Sequence, residues 1–290
     1  MNLAIPSDEI SVRPSAVLSE PGAHLSWQER REWFRARLQD SAVRGVGPDE
    51  MAGHFAAMPA HYWERVNQED LVWGLETIHG FLSLVAAPNV PPTTPFVDWR
   101  QLTQSGQTRI MLCTWDRHGL LAKAAAAFSA VRLNILEADV FTRADNVVLD
   151  VFCVADADGR GGASRARLEE MRFLVEGALS QPPRFASVWA CLRHKYCSSP
   201  VRVPPRIVIE NDGPASATLV RVEASDRLGL LYDILQSIAD SGLNITQARI
   251  ETQGDLAHDS LYVTDTHGQK VLETCRLEEL RRNLEAALTQ

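Results

Sequence analysis

Apolar positions along the chain show no period at first, then a helical one, then a strand-like one that is used twice. Residues 1 to about 25 contain Pro6, Pro14, Pro21 and Gly22 without a sustained apolar pattern, which predicts a mobile tail. Trp27, Trp33, Phe34 and Leu38 then form a helical stripe, opened by Ser26 as cap and Glu29 as its capping-box partner. Pro48-Asp49-Glu50 predicts a second helix start, because proline fits a first turn and the acids complement the helix dipole. After a break at Pro59 and His61-Tyr62-Trp63, Gln68–Ala86 predicts a longer helix with Leu71, Leu75, Ile78, Leu82 and Leu84 inward. The stretch Ala87-Pro88-Asn89-Val90-Pro91-Pro92 ends it as a stiff linker.

From Val97 the pattern predicts strands. Thr108–Thr114 is β-branched and apolar, Gly119–Val131 is alanine-rich and helical, and Asn134–Thr142 and Val147–Ala155 are two strands joined at Arg143-Ala144-Asp145-Asn146. Ala163–Leu179 is an amphipathic helix, and Phe185–His194 reads as a spacer helix. The plan then recurs, with strands at Ile207–Glu210 and Thr218–Ala224, a helix at Gly229–Ser241, strands at Asn244–Thr252 and Asp259–Thr264, and a helix at Glu273–Leu288. Each unit has the order strand, helix, strand, strand, helix, a split β-α-β pattern. The fourth strand of each sheet is expected from the preceding runs, Phe96–Arg100 and Arg206–Glu210.

The recurrence extends to individual residues. Arg109–Thr142 set against Leu219–Thr252, a displacement of 110, gives ten identities in thirty-four positions. They include Asp116-Arg117, Gly119-Leu120-Leu121 and Leu133-Asn134-Ile135, matched by Asp226-Arg227, Gly229-Leu230-Leu231 and Leu243-Asn244-Ile245. Asp150, Val154, Asp156 and Gly159 return as Asp259, Val263, Asp265 and Gly268, one residue out of step. A duplicated unit therefore makes up most of the chain.

Within each unit the repeated turn is the place where chemistry is expected. After a strand, Asp-Arg-x-Gly-Leu-Leu sets a helix N-terminus at the sheet edge, where unpaired amides and the helix dipole attract a carboxylate. Asn134 and Asn244 offer neutral donors and acceptors suited to the backbone of an amino acid. The alternative leaves Asp116 and Asp226 as helix caps, Gly119 and Gly229 as packing devices and the leucines as core.

Composition narrows the function further. The net charge is -8, and Arg165, Arg167, Arg276, Arg281 and Arg282 stand among acids as on a solvated face, which argues against nucleic acid or an anionic membrane as partner. The five cysteines form no CxxC pair, so no metal site or disulfide framework is expected, and Cys113 and Cys153 read as buried thiols. With no apolar run of membrane-spanning length and no signal peptide, a cytoplasmic protein is expected. Asp156 and Asp158 beside Gly159 lack the ligand-rich calcium-loop pattern and read as a turn. There is no Gly-x-Ser-x-Gly, Walker loop or His-Glu-x-x-His, and no cofactor is expected.

The motif Asp-Arg-x-Gly-Leu-Leu followed by Leu-Asn-Ile resembles the ACT domain, a small regulatory module that binds amino acids. More closely, residues 26–290 resemble the C-terminal part of the bacterial PII uridylyltransferase/uridylyl-removing enzyme family. The stretches that carry this are His54–Trp63, Val203–Asp212 and Tyr262–Asp265. The resemblance implies an α+β chain of two tandem ACT (ferredoxin-like, split β-α-β) domains after a helical segment. Its divisions are a tail at 1–25, helices at 26–92, a first ACT domain with spacer at 93–200 and a second at 201–290.

The resemblance further implies that an amino acid, glutamine first, binds at an ACT–ACT interface. The contacts would be Asp116, Arg117, His118, Gly119, Leu120 and Leu121 with Asn134 and Ile135, and Asp226, Arg227, Leu228, Gly229, Leu230 and Leu231 with Asn244 and Ile245. The family's nucleotidyltransferase and His-Asp phosphohydrolase motifs are absent from this sequence, so a non-catalytic regulator is expected, and His54, His61 and His79 read as packing or surface residues. The competing expectation is a ligand-free interaction protein whose ACT sheets pair with themselves, as a homo-oligomer, or with a PII-like partner. His118 and Leu228 replace the proline usual in the motif, and Arg132 replaces a glycine that Gly242 keeps. The second turn is therefore expected to be the better site.

Overall fold

The computed structural model describes residues 24–38, 43–102, 105–157, 162–180, 203–212 and 216–289. Helix α1 (Trp27–Leu38) begins on the expected box: the Ser26 amide donates to Glu29 Oε2 at 2.8 Å and the Glu29 amide to Ser26 Oγ at 3.4 Å. Helix α2 (Pro48–Ala57) starts on its proline, with Glu50 Oε2 accepting from the Gly47 amide at 3.2 Å. Helices α3 (Ala60–Arg65) and α4 (Gln68–Ala86) follow. In α4 the buried face is Leu71, Trp73, Leu75, Ile78 and Phe81, whereas Leu82 and Leu84, expected inward, are half-buried. The helix lies on a sheet, and the large aromatics take the contact line that leucine was expected to fill.

The first repeat comprises β1 (Phe96–Leu102), β2 (Gln107–Trp115), α5 (Leu120–Ala130), β3 (Leu133–Thr142), β4 (Val147–Asp156) and α6 (Arg165–Ser180). The second comprises β5 (Arg206–Glu210), β6 (Thr218–Ser225), α7 (Leu230–Asp240), β7 (Asn244–Gln253), β8 (Leu256–Thr264) and α8 (Thr274–Leu288). Both fourth strands fall where the sequence places them, as β1 and β5. Asp98, which interrupts β1, is held by Trp73 Nε1, which donates to its Oδ2 at 2.7 Å. The expected spacer helix at Phe185–His194 lies outside the described residues.

The two four-stranded sheets join edge to edge into one eight-stranded antiparallel sheet of order β1-β2-β4-β3-β7-β8-β6-β5. The joining ladder pairs Glu137 with Glu251, Ala138 with Ile250 and Asp139 with Arg249. The displacement of 110 carries Asp139 onto Arg249, so residues at equivalent positions meet and a pseudo-two-fold axis passes between them. Each of β3 and β7 also carries a register shift at the same place, after Ile135 and after Ile245. This order and connectivity are those of tandem ferredoxin-like units.

Helices α5 to α8 cover one face of the sheet, around Phe128, Phe152, Leu235 and Leu261. The opposite face of the first repeat is covered as well. Met111, Cys113, Phe141, Leu149 and Val151 pack against Phe34, Phe55, Trp63 and Phe81 of the N-terminal helices. Burial on both faces explains the continuous apolar run of β4, while β6 and β8 alternate buried with half-buried or exposed positions. Truncating one of these aromatics, such as Trp63, costs roughly 3–5 kcal/mol. Two arginines read as solvated are engaged instead: Arg167 pairs with Asp156, and Arg281 donates to the Ile207 carbonyl at 2.8 Å. No helix among the described residues is long and apolar enough to cross a membrane.

Candidate ligand-binding site

In each repeat a strand runs straight into the Asp-Arg-x-Gly turn, and the glycine takes a left-handed conformation, φ 69° at Gly119 and 79° at Gly229. That conformation is readily available only without a Cβ. Gly119 and Gly229 are thus the residues that begin α5 and α7. The N-cap position belongs to the glycine in both helices, and Asp116 and Asp226 each accept instead from the backbone amide of the arginine that follows. Leu120 N bonds to the Arg117 carbonyl and Lys123 N to that of Gly119; the amides of Leu121 and Ala122 between them stand in the first turn, where a helix supplies no acceptor of its own.

The arginines of the motif turn away from this opening. Arg117 donates to the carbonyl of Leu179 at 2.9 Å, to that of Thr93 at 3.1 Å and to Thr114 Oγ1 at 2.8 Å. Arg227 repeats the role, donating to the Ala287 carbonyl at 3.2 Å and pairing with Asp233 at 2.7 Å. Each guanidinium therefore anchors the last turn of its unit's second helix, where free carbonyls favour a cation. Leu120, Leu121, Leu228, Leu230 and Leu231 are buried core.

Joining the sheets edge to edge crosses the expected pairing of turn and asparagine. Asn244 and Ile245 of the second repeat face the first turn, and Asn134 and Ile135 of the first repeat face the second turn. The two places differ in what fills them. At the second turn Asn134 Nδ2 donates to Asp226 Oδ2 at 2.8 Å, and the space left is about 10 Å³. At the first turn His118 stands where the second has Leu228 and takes Asn244 for itself. Its Nδ1 lies 2.9 Å from Asn244 Oδ1 and its Nε2 3.2 Å from the Ala239 carbonyl. A cavity of about 170 Å³ remains beside Asp116, bounded by Asp116–Ala122, strands β3 and β4, and Leu235, Ala239, Leu243, Asn244 and Ile245. The volumes run opposite to the ranking that the motif suggests.

Asp150 and Asp259, absent from the predicted site, form the floor of these two places. Both are almost fully buried, at 0% and 2% exposure. Burial pushes the Asp150 carboxyl well above the usual range, with the Asp116 charge adding to it and the backbone amide of Phe141 opposing. Burial, with Asp226 adding, pushes Asp259 up to about 8. Apart from the nearby Phe141 amide, neither carboxyl oxygen of Asp150 has a hydrogen-bond partner, and Asp259 Oδ1 has none. The signal was present in the sequence: an acid repeated in the middle of an apolar strand, where burial makes a lone carboxyl costly.

The turn, then, offers a ligand amides at one end, its own histidine and an asparagine from across the seam at the side, and two carboxyl groups. Comparison with known proteins finds similar chains. Residues 214–290 match the model of the ACR family N-terminal ACT domain. The bifunctional uridylyltransferase/uridylyl-removing enzyme of Rhodospirillum rubrum is 30% identical over 194 residues, 63% of this chain and 20% of that protein. That of Azospirillum brasilense is 35% identical over 185 residues, covering 62% and 20%. That of Azotobacter vinelandii is 27% identical over 269 residues, covering 91% and 28%. The chain spans between a fifth and somewhat over a quarter of these curated relatives' length. The chain carries an ACT domain, and its homologues are the bifunctional uridylyltransferase/uridylyl-removing enzymes.

Proposed function

We propose that this chain is a non-catalytic amino acid sensor, with glutamine as the first candidate, and that the ligand binds between Asp116–Leu121 and Asn244. The observation that supports it is the cavity of about 170 Å³ at the seam, with walls from both repeats. It is comparable with the roughly 150 Å³ that admits a molecule the size of benzene. The ligand carboxylate would meet the amides of Leu121 and Ala122 at the start of α5, where the helix dipole favours an anion. The domain limits that go with this reading are helices at 26–92 and ACT domains at 93–200 and 201–290.

A ligand that touches both repeats favours the arrangement in which both walls are in place, and can shift the molecule only by that difference. The seam is suited to such a shift, because only three residue pairs join β3 to β7. Arg65 of α3 ties the N-terminal helices to the seam, pairing with Asp139 on β3 and donating to the Ala248 carbonyl on β7 at 3.4 Å. Whatever reads the signal, the helices or a protein partner, must bind the two arrangements unequally.

Isothermal calorimetry and thermal unfolding with L-glutamine and a panel of the other amino acids test the reading. A saturable heat and a raised unfolding temperature are expected. No heat and no shift at millimolar ligand would end it and favour the ligand-free interaction protein.

A further inference from the structure

Asp150 is the least accounted-for group in the first repeat. It sits mid-strand on β4, paired with Leu112 on β2 and Val140 on β3, and shares the α5-covered face with Val148 and Phe152. It is fully buried, has no side chain to meet it and only the Phe141 amide beside it, and lines the open cavity. A carboxyl so placed costs stability unless something meets it. The other charged or titratable side chains on the cavity are Asp116, Arg117 and His118, all from the turn; β3 and the second repeat present only neutral ones. Arg117 is spent on α6 and β2, and His118 on Asn244 and Ala239. Cys113, on the neighbouring strand, belongs to the opposite face of the sheet. The cavity therefore has an anion-seeking end at the start of α5 and an acidic end at Asp116 and Asp150.

We propose that Asp150, with Asp116, is the receptor for a primary ammonium group on the ligand, and that seating this cation expels the Asp150 proton to solvent. This rests on the amino acid site inferred above and specifies its ligand: a zwitterion with its carboxylate on the α5 amides and its ammonium on the carboxyl pair. The balance is simple. A protonated Asp150 carboxyl and an R–NH3+ ligand give a carboxylate–ammonium pair and one H+ in water. The raised affinity of the empty, buried carboxyl for its proton is the source of that H+. Because the bound form holds fewer protons than the free partners, affinity rises with pH over the range in which the empty site keeps its proton. The second place cannot serve in the same way, since Asn134 already occupies Asp226 and about 10 Å³ is left.

The test is calorimetry on the full chain with L-glutamine and the amino acid panel, in two buffers of unequal ionisation enthalpy, which counts protons released. The wild type is expected to release about one proton per ligand near neutral pH. Asp150→Asn keeps the shape and is expected to weaken binding at least tenfold and abolish the release. Asp259→Asn, the equivalent change at the filled place, is expected to leave both unchanged. Binding without proton release, or binding that Asp150→Asn leaves intact, overturns this inference and leaves the sensor reading standing. No binding of any amino acid overturns both. The wild-type proton count decides the matter even if Asp150→Asn does not fold.

Discussion

His118 of the first repeat holds Asn244 of the second across the seam, with 2.9 Å between imidazole Nδ1 and amide Oδ1. The Ala239 carbonyl, 3.2 Å from Nε2, can only accept, so Nε2 carries a proton. Nδ1 then donates to Asn244 when the ring is charged, or accepts from the amide nitrogen when it is neutral. At the equivalent position the other repeat has Leu228, which is buried, and there the asparagine from across the seam closes on the motif aspartate instead. One side chain thus separates an open place from a closed one.

Replacing His118 with Leu should convert the first place into a copy of the second. Asn244 is freed to donate to Asp116, the cavity of about 170 Å³ contracts, and ligand affinity falls at least tenfold. Losing two hydrogen bonds at an exposed position costs about 1–2 kcal/mol. A crystal structure of the variant and its ligand titration check both.

Asp259 should make the protein less stable as pH rises. Its carboxyl keeps a proton in the folded chain up to about 8, while the unfolded chain releases it near 4. Between those values the folded state binds more protons, so stability falls with pH by up to about 1.4 kcal/mol per unit. Asp150 acts in the same direction. His54 acts in the opposite one: burial lowers it to about 3, so its contribution is lost as pH falls through 6.5 towards 3. Denaturant unfolding of Asp259→Asn is expected to match wild type near pH 4 and exceed it at pH 8.

Arg227→Ala should destabilise the second repeat by about 3 kcal/mol. It removes an ion pair to Asp233, which is 6% exposed, and the donor to the last turn of α8. Urea unfolding measures the cost, and hydrogen exchange is expected to show α8 fraying at its C-terminal end.

Arg65→Ala should loosen the seam without unfolding either core. The amides of Ala248–Ile250 on β7 and the residues of α3 are expected to exchange faster, while those of β4 keep their protection. The same variant should weaken the answer of Trp115 to ligand. Trp115 adjoins Asp116 in the chain and meets Phe81 of α4 edge-on, with ring centroids 5.4 Å apart. Its fluorescence change on binding therefore reports whether the N-terminal helices respond, and a wild-type change that Arg65→Ala leaves at full size would separate the two.

The local elements were legible because each follows from short-range chemistry. Pro48 and Glu50 start α2, the Ser26–Glu29 box starts α1, and the alternation in β6 and β8 marks strands with one well-buried face. The duplication was legible from letters alone, down to the acids at 150 and 259. It predicted two turns, two asparagines and two fourth strands. It could not say which asparagine meets which turn, because that depends on β3 pairing with β7, a contact between strands more than a hundred residues apart. It could not reveal that Asp150 and Asp259 sit beneath the turns, since a strand's facing partners are set by register. It also ranked the second turn above the first on motif, where the tertiary structure leaves room at the first. That difference comes from His118, whose effect exists only because the folded sheet brings Asn244 and Ala239 within its reach.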